Sequence, residues 1–564
     1  MSMSIMDIKQ QHQPDSHPPV QDFSTRTQQP PTLGYWVGNR DDVNFKPVDS
    51  GTILETMRRP VSLIYEPRLR AVGIVQGGTV TDLNDEAALP LLSTLGPLYP
   101  EWLGDRTFLQ THGLRFAYLG GSMARGIATT DMAITLAEIG AMGMFGAAGL
   151  ALREVDAAIG RMSAALDSRG LPWGCNLIHS PNEPALEDKL VELYLRRDVR
   201  WVEASAFMRL TKAVVRYACT GLRRGDSGEV VRSRHLFAKV SRQEVARHFL
   251  SPAPDDLLTQ LVAEGCLNEQ EAQLAREVPL AEQLIVESDS GGHTDNRPLN
   301  ALFPVIAGLR DRLSRQFGYR RPIHLGAAGG LGTPEALAAA YALGAAFVLI
   351  GSVHQSALES GISADSRELL AQAGPADIAM TASADMFEMG VKVQVLSRGT
   401  LMAVRGNQLY ELYKRYNALE DIPADTRAAL EKNTFRMSLN DVWKDTQSFF
   451  SGIDIAQLER AERDPKHKLA LIFRWYIGNS SRWPLIGELA RQADYQLWCG
   501  PAMGAFNGWV SGSFLEPAEN RSVQQIALNL LEGAAAVTRA HQYRTYGLAV
   551  PATAFQYRPT KLRV

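Results

Sequence analysis

The stretch that most constrains the fold is IHLGAAGGLGTPEALAAAYALGAAFVLIGS, from Ile323 to Ser352. A short apolar strand enters a glycine-rich turn, and Thr333-Pro334-Glu335 then supplies a helix N-cap, a first helical residue and a first-turn acid. Gly344 is suited to end that helix, and a second apolar strand, 347–350, leads into Gly351-Ser352. The pattern therefore predicts two consecutive parallel strands, each followed by a glycine turn.

Glycine turns of this kind are typical of one place in a (β/α)₈ barrel. The loops after its last two strands commonly bind phosphate, because bare backbone N–H groups and a helix N-terminus can surround the anion. The sequence thus predicts a phosphate site at Gly329, Gly330, Gly351 and Ser352. A tight turn without a ligand is the alternative interpretation.

A second segment, LIVESDSGGHTDNRP from Leu284 to Pro298, precedes the glycine turns by one strand–helix unit. An apolar strand ends in an acid and a serine-rich turn, and Gly291-Gly292 then present His293. A histidine at the carboxyl end of a barrel strand lies in the layer that carries the chemistry in such enzymes. We therefore predict that His293 is catalytic and count Gly291 and Gly292 among the cofactor-binding residues; a purely structural histidine is the alternative.

The order and spacing of ESDSGGHTDN, GAAGGLGTPEAL and VLIGS resemble the FMN-dependent enoyl reductase and nitronate monooxygenase superfamily. Residues 380–416 and 500–516 resemble more closely the trans-acting enoyl reductases of polyunsaturated fatty acid synthases and trans-acyltransferase polyketide synthases. The resemblance extends from about Gly34 onward. It implies FMN as cofactor, NADPH or NADH as co-substrate, and an enoyl thioester carried by an acyl carrier protein as substrate.

The resemblance also assigns residues on earlier strands. It implies that Gly121, Ser122 and Met123, in the turn after the first barrel strand, lie against the flavin ring, and that Asn176 forms a hydrogen bond with the flavin. A plain turn with a core methionine is the alternative for the first of these. Lys239, near the end of a further strand, has two open roles: stabilising a reduced anionic flavin, or forming a salt bridge with Glu203.

Length and composition restrict the other function classes. The 564 residues exceed a single barrel of about 250 residues, so further folded regions are expected. A net charge of −3 without a long basic run indicates no nucleic-acid partner, and no apolar run approaches the ~20 residues of a membrane helix. The four cysteines form no CxxC pair, so no metal site is expected. We expect a cytoplasmic protein, and the sequence leaves a homodimer open.

The predicted fold class is α/β: an FMN-binding (β/α)₈ TIM barrel with a small N-terminal β-rich domain, a helical insertion and a helical C-terminal domain. The expected boundaries are a disordered tail at 1–32, an α+β domain at 33–113, the barrel at 114–360 and a mainly helical domain at 361–564. The polar insertion at 249–281 reads as two short helices. A lid or carrier-docking surface on the face of the barrel loops is one interpretation of it, and a solvated decoration is the other.

Three functions compete at this point. The first is a trans-acting enoyl reductase, in which His293 donates a proton or polarises the thioester carbonyl. The second is a nitronate monooxygenase-like flavin oxidase that uses the same histidine as a base. The third is a non-catalytic flavin-bearing subunit of a megasynthase. The aromatic segments 475–484 and 505–514 either line an acyl channel or belong to the core.

Overall fold

The computed structural model describes residues 32–180, 184–452 and 454–563, so all but the last residue of the predicted tail at 1–32 lies outside the described residues. Contacts divide the chain into two compact units: a smaller one of residues up to 47, 59–97 and 544–549, and a larger one of 48–58, 98–543 and 550–564. Residues 98–113 thus belong with the barrel rather than with the predicted domain 33–113. The barrel and the C-terminal helices form one unit.

The smaller unit contains an antiparallel five-stranded sheet with the order β3-β2-β5-β1-β4. Its strands are β1 (Gly34–Val37), β2 (Val61–Glu66), β3 (Ala71–Val75), β4 (Thr79–Thr81) and β5 (Leu89–Leu95). Trp36 is buried against Ile64 and Leu91, and its indole N–H donates to the Gly77 carbonyl at 2.9 Å. The aromatic and β-branched runs of this region therefore form a small core of their own.

The strands of the larger unit are β6 (Tyr118–Gly120), β7 (Met142–Phe145), β8 (Trp173–Ile178), β9 (Trp201–Ser205), β10 (Arg223–Arg224), β11 (Val230–Val231), β12 (His235–Val240), β13 (Gln283–Glu287), β14 (Gly292–His293), β15 (His324–Ala328), β16 (Phe347–Ile350), β17 (Ile378–Ala382) and β18 (Lys392–Leu396). Eight of them close a parallel barrel in the order β12-β13-β15-β16-β6-β7-β8-β9. The predicted TIM-barrel fold is confirmed.

Helices of the barrel region alternate with its strands. They are α1 (Ser50–Thr56), α2 (Arg106–His112), α3 (Thr130–Glu138), α4 (Leu152–Leu166), α5 (Pro184–Arg196), α6 (Lys212–Cys219), α7 (Gln243–Leu250), α8 (Asp255–Ala263), α9 (Glu269–Ala275), α10 (Leu299–Phe317), α11 (Pro334–Ala342) and α12 (Ser352–Gln355). Helix α11 begins as predicted, because Thr333 accepts a hydrogen bond from the Ala336 N–H. Among the described residues, none of the helices is both long and apolar enough to cross a membrane.

Apolar side chains fill the barrel, as the apolar strand sequences require. Phe108, from α2, stacks on Phe347 of β16 with ring centroids 4.3 Å apart, and meets Phe237 of β12 edge-on. Ile285 of β13 belongs to the same buried cluster. The predicted strands 142–145 and 347–350 have the predicted bounds.

The insertion between β12 and β13 contains α8 and α9, where the sequence predicts two short helices. It follows α7, which returns from the carboxyl end of β12, and it leads directly into the first residue of β13. Backbone hydrogen bonds from Leu280 to Ser251 and from Ala281 to Phe249 close its base. The insertion therefore lies at the amino ends of the strands, opposite the βα loops, and its interpretation as a lid over the site is wrong.

The C-terminal region contains α13 (Ala364–Ala371), α14 (Met402–Arg415), α15 (Ala424–Leu430), α16 (Leu439–Ser451), α17 (Ile455–Arg463), α18 (Pro465–Ser480), α19 (Trp483–Ile486), α20 (Pro501–Val510) and α21 (Val523–Thr545). Its predicted helical character is confirmed. The sequence prediction missed one feature: β17 and β18 pair with β14 in an antiparallel sheet of order β14-β18-β17. Tyr476, Trp483 and Phe506 are buried, which favours a core role for the two aromatic segments.

Candidate active site

The loop after β13 carries His293, and a strand of the C-terminal region holds it in place. In β14, His293 lies opposite Val393 of β18. The next residue of β18, Gln394, is buried, and its amide donates to Asp289 Oδ1 at 2.8 Å and to the Ser290 carbonyl at 2.9 Å. Its oxygen accepts a hydrogen bond from Asn296 Nδ2 at 2.7 Å. Gln394 therefore fixes both ends of the loop that presents His293.

The imidazole of His293 has an acidic partner from the C-terminal region. Its Nε2 lies 3.5 Å from Asp385 Oδ1 and 3.3 Å from Ser383 Oγ, and the Ser383 hydroxyl donates to Asp385. Burial lowers the pKa of His293, but the hydrogen bond and charge of Asp385 outweigh it and the pKa is raised. For Asp385 the two effects have the opposite signs. Burial raises the pKa of this carboxyl, whereas hydrogen bonds and charge from His293, together with Ser383, lower it to about 2.

An ionic network crosses the carboxyl ends of three strands. Lys239 Nζ lies 2.8 Å from Glu287 Oε1 and 3.6 Å from Glu203 Oε1. Glu203 is completely buried and also accepts hydrogen bonds from the N–H and the hydroxyl of Ser122, at 3.1 and 2.7 Å. Burial opposes the charge on Lys239, but Glu287 and Glu203 together raise its pKa. Of the two roles left open for Lys239, the structure shows the salt bridge.

The two glycine turns expose unused backbone donors. Neither the Gly330 nor the Gly351 N–H is donated to any residue that the structure describes, and no atom lies within 4 Å of the position that a Cβ would take at either glycine. Gly330 has a φ of +69°, and Gly329, with a φ of +85°, packs on Ser288. Helix α11 begins shortly after the first of these turns. Open space, free N–H groups and a helix N-terminus together fit a phosphate group.

Segment 498–502 of the C-terminal region closes over the glycine turns. The Gly500 N–H donates to Ser352 Oγ at 3.3 Å. A Cβ on Gly291 would lie 2.9 Å from Ser352 Oγ, and one on Gly332 would lie 2.1 Å from the Ala502 carbonyl oxygen. The glycines at these positions therefore permit the barrel loops and segment 498–502 to pack backbone against backbone.

The remaining predicted residues lie on neighbouring strands of the same barrel. Gly121 follows β6, and its N–H donates to the Ile350 carbonyl at 2.9 Å; Met123 packs partly against the C-terminal core. Asn176, in β8, is buried, and its Oδ1 accepts the Ala148 N–H at 3.1 Å. The structure thus links Ser122 to Lys239 through Glu203 and brings Gly291 close to Ser352. Asn176 instead binds the loop after β7. The cofactor roles of these residues stay predictions.

Sequence reasoning missed the partners of His293. The segment SADMFEMG, which contains Ser383 and Asp385, indicates by itself no more than a helix edge, whereas it lies between β17 and β18 beside the histidine. A signal was present for Gln394, because Lys392-Val393-Gln394-Val395 alternates polar and apolar residues with the period of a strand. The side chain of Asp385 carried no comparable local signal.

Two family models match the chain. The model for nitronate monooxygenase matches residues 111–398, and the model for the inserted helical domain of [acyl-carrier-protein] S-malonyltransferase matches residues 416–495. The first match spans the barrel and the β17–β18 sheet that supports His293. The second covers the helices from α15 to α19.

Among curated proteins, the polyketide biosynthesis protein PksE of Bacillus subtilis (strain 168) is 44% identical over 446 residues, which are 79% of this chain and 58% of PksE. One of the polyunsaturated fatty acid synthase polypeptides of a Thraustochytrium species is 43% identical over 468 residues, 81% of this chain and 31% of that protein. The chain therefore spans only part of these relatives.

Among solved structures, the enoyl reductase domain of MlnA, from the macrolactin biosynthesis cluster of Bacillus amyloliquefaciens, matches with a TM-score of 0.75 and 36% identity. The match covers 79% of this chain and 99% of that domain. The barrel with its two glycine turns, the His293 loop and these matches lead to one conclusion: the chain belongs to the nitronate monooxygenase family, in the branch that includes the enoyl reductase domain of MlnA.

Proposed function

We propose that this protein is an FMN-dependent enoyl reductase that uses NADPH or NADH to reduce the α,β-double bond of an enoyl thioester on an acyl carrier protein. The observation that carries the proposal is the His293–Asp385 pair, which lies beside the Lys239 network at the carboxyl ends of the barrel strands. The match to the MlnA enoyl reductase domain supports the same reaction.

FMN fits the donor set of the glycine turns. Gly330 and Gly351 would hold its terminal phosphate through their free N–H groups, aided by the N-terminus of α11. The turn of Gly121, Ser122 and Met123 follows β6, which pairs with β16, and would hold the ring. When bound, FMN supplies the hydride that the β-carbon of the substrate requires and recovers it from the nicotinamide.

His293 supplies the proton in this scheme. Reduction adds a hydride to the β-carbon and a proton to the α-carbon, so the site needs a group that holds a proton near neutral pH. Asp385 engages Nε2 and raises the pKa of the ring, while Nδ1 has no hydrogen-bond partner among residues in the described ranges. We assign Nδ1 of the protonated ring as the donor to the substrate, either to carbon or to the thioester carbonyl oxygen.

Lys239 and its two carboxylates have a positioning role. Because Glu287 and Glu203 neutralise the ammonium group, Lys239 is not a free cation available to an anionic flavin. Glu203 of β9 instead binds the Ser122 turn and Lys239 of β12. Because Lys239 also binds Glu287 of β13, the network fixes the distance between that turn and the strand that leads to His293. Its burial makes the whole network rigid.

The test is NADPH oxidation by the FMN-loaded protein under nitrogen, with and without a carrier-bound enoyl thioester. We expect oxidation to depend on the thioester, and mass spectrometry to show a gain of two hydrogens on the carrier-bound acyl chain. A nitronate monooxygenase would instead consume oxygen with a nitronate and ignore the thioester. A non-catalytic subunit would do neither, and either of these two results would refute the proposal.

A further inference from the structure

Arg125 has an unusual backbone conformation close to the carboxyl end of β6. It belongs to the turn between β6 and α3, and its φ of +57° is in the left-handed region that residues other than glycine rarely adopt. The Arg125 N–H donates to the Ala148 carbonyl at 2.7 Å, and the Gly126 N–H donates to the Gly146 carbonyl at 2.9 Å. These two bonds fix the turn to the loop after β7, so the strained residue is held by its surroundings.

The side chain of Arg125 has room but no partner. Its Cγ lies 3.2 Å from the position that a Cβ would take on Gly149, so the glycine leaves space for the arginine stem. Within the described ranges, no hydrogen bond, salt bridge or aromatic ring engages its guanidinium group. Burial lowers the pKa of Arg125, the charge of Arg482 lowers it further, and Asp385 opposes both. A partly buried guanidinium without a partner is costly, which suggests that its partner is a ligand.

Arg482 brings a second unpaired positive charge to the same place. It precedes α19 and is exposed, and no described side chain forms a salt bridge or hydrogen bond with its guanidinium group either. Ile127, two residues after Arg125, and Trp483, next to Arg482, belong to one buried cluster, which holds the two segments together. Two neighbouring guanidinium groups repel each other unless an anion lies between them.

We propose that Arg125 and Arg482 bind a phosphate group of the molecule that enters over His293, a proposal that rests on the function proposed above. The packing places both arginines near His293: Arg125 follows the carboxyl end of β6, and the cluster of Ile127 and Trp483 also packs against Ala384, next to Asp385, which lies 3.5 Å from His293. The glycine turns of β15 and β16 already fit the phosphate of FMN, so this anion belongs to a second molecule. It is either the phosphate of the phosphopantetheine arm that carries the thioester or a phosphate of the nicotinamide dinucleotide, and the planar guanidinium fork suits both.

Binding measured by calorimetry on the FMN-loaded protein tests the proposal without turnover. The probes are 4′-phosphopantetheine, pantetheine, NADPH and NADH, and the proteins are wild type, Arg125→Gln, Arg482→Gln and, as a control, Arg315→Gln near the end of α10. We expect each site variant to weaken binding of one phosphate-bearing probe by about tenfold or more, since one charge-assisted contact is lost. The affinity for pantetheine should not change in any variant, and the Arg315→Gln control should bind every probe as tightly as the wild type does.

Comparing the probes distinguishes the two possible origins of the phosphate group. Weaker phosphopantetheine binding with unchanged NADPH binding identifies the carrier arm, and the reverse identifies the dinucleotide. Unchanged affinity for both in folded Arg482→Gln, whose site is exposed and tolerant, would overturn the proposal even if Arg125→Gln fails to fold. A wild-type protein that binds phosphopantetheine but does not reduce enoyl thioesters would refute the reaction and leave this site intact.

Discussion

The His293–Asp385 pair joins two parts of the chain that are distant in sequence, and each residue has a distinct role in it. His293 has an exposed fraction of 30%, so a substrate can reach it, while its Nε2 is engaged by Asp385. The carboxylate orients the ring and keeps it protonated at a higher pH than burial alone would allow. The proposed role of His293 is therefore to hold one proton on a ring nitrogen and donate it to the substrate.

Replacing His293 with alanine should separate the two half-reactions. The variant should retain FMN and its reduction by NADPH, because neither needs a proton donor to carbon. Transfer to the enoyl thioester should slow by ~10² to 10⁴, the usual contribution of a general acid or of carbonyl polarisation. Stopped-flow spectra resolve both steps. If reduction and reoxidation slow equally, or neither slows, His293 does not handle the substrate.

Asp385→Asn should change a pH profile rather than abolish activity. With the charge removed, burial dominates and the pKa of His293 falls. Since the protonated ring is the active form, the decline of the reoxidation rate at high pH should move to lower pH. The pH dependence of flavin reduction by NADPH is the internal control. An unmoved profile for reoxidation would mean that Asp385 does not set the proton affinity of His293.

At the scale of elements, the sequence predicted local structure well and long-range pairing poorly. The strands 142–145 and 347–350 and the N-cap at Thr333 could be predicted because apolar runs and capping residues act within a few positions. The β14-β18-β17 sheet was missed because its register joins Gly292 to Gln394, and no local pattern encodes that pairing. The same limit hid Asp385 as the partner of His293.

The glycine turn after β15 provides a test at this scale. Gly330→Asp should lower FMN affinity at least about tenfold, since two like charges ~4 Å apart repel by roughly 1 to 4 kcal/mol. The space around Gly330 is open, so the side chain itself meets no protein atom within 4 Å of its Cβ. Gly330→Ala is the matched control, because it carries the same backbone strain at a φ of +69° without the charge. Flavin fluorescence titrations of the apo-protein measure both, and equal affinities of the two variants would show that no phosphate lies at this turn.

At the scale of the larger unit, the barrel and the C-terminal region form one functional body. The C-terminal strands hold the His293 loop, and the Gly500 segment covers the glycine turns, so removing the region would disrupt the site rather than expose it. The larger unit also buries several histidines that have no role in the proposed chemistry. His112 and His235 pack on each other and on Trp201, and His354 accepts or donates a hydrogen bond with the Tyr118 hydroxyl at 2.7 Å.

These buried histidines should make the protein sensitive to mild acid. Burial lowers the pKa of His235 and His354 to about 3 and that of His112 well below its ordinary value. The folded state therefore binds fewer protons than the unfolded state below pH 6.5, and stability falls as the pH drops from about 6.5 toward 3. Each group contributes a loss of about 1.4 kcal/mol per pH unit in this window. His293, whose pKa is raised, acts in the opposite direction.

The test is the free energy of unfolding in urea between pH 7 and pH 5, where carboxylates contribute little. His235→Phe keeps an aromatic ring beside His112 and Trp201 but does not titrate, so its stability should decline by about 1 kcal/mol less per pH unit, averaged over this range, than that of the wild type. The exposed His248, replaced with glutamine, is the control and should leave the slope unchanged. If His235→Phe declines as steeply as the wild type, protonation of that ring does not drive acid unfolding, and the loss must come from other groups.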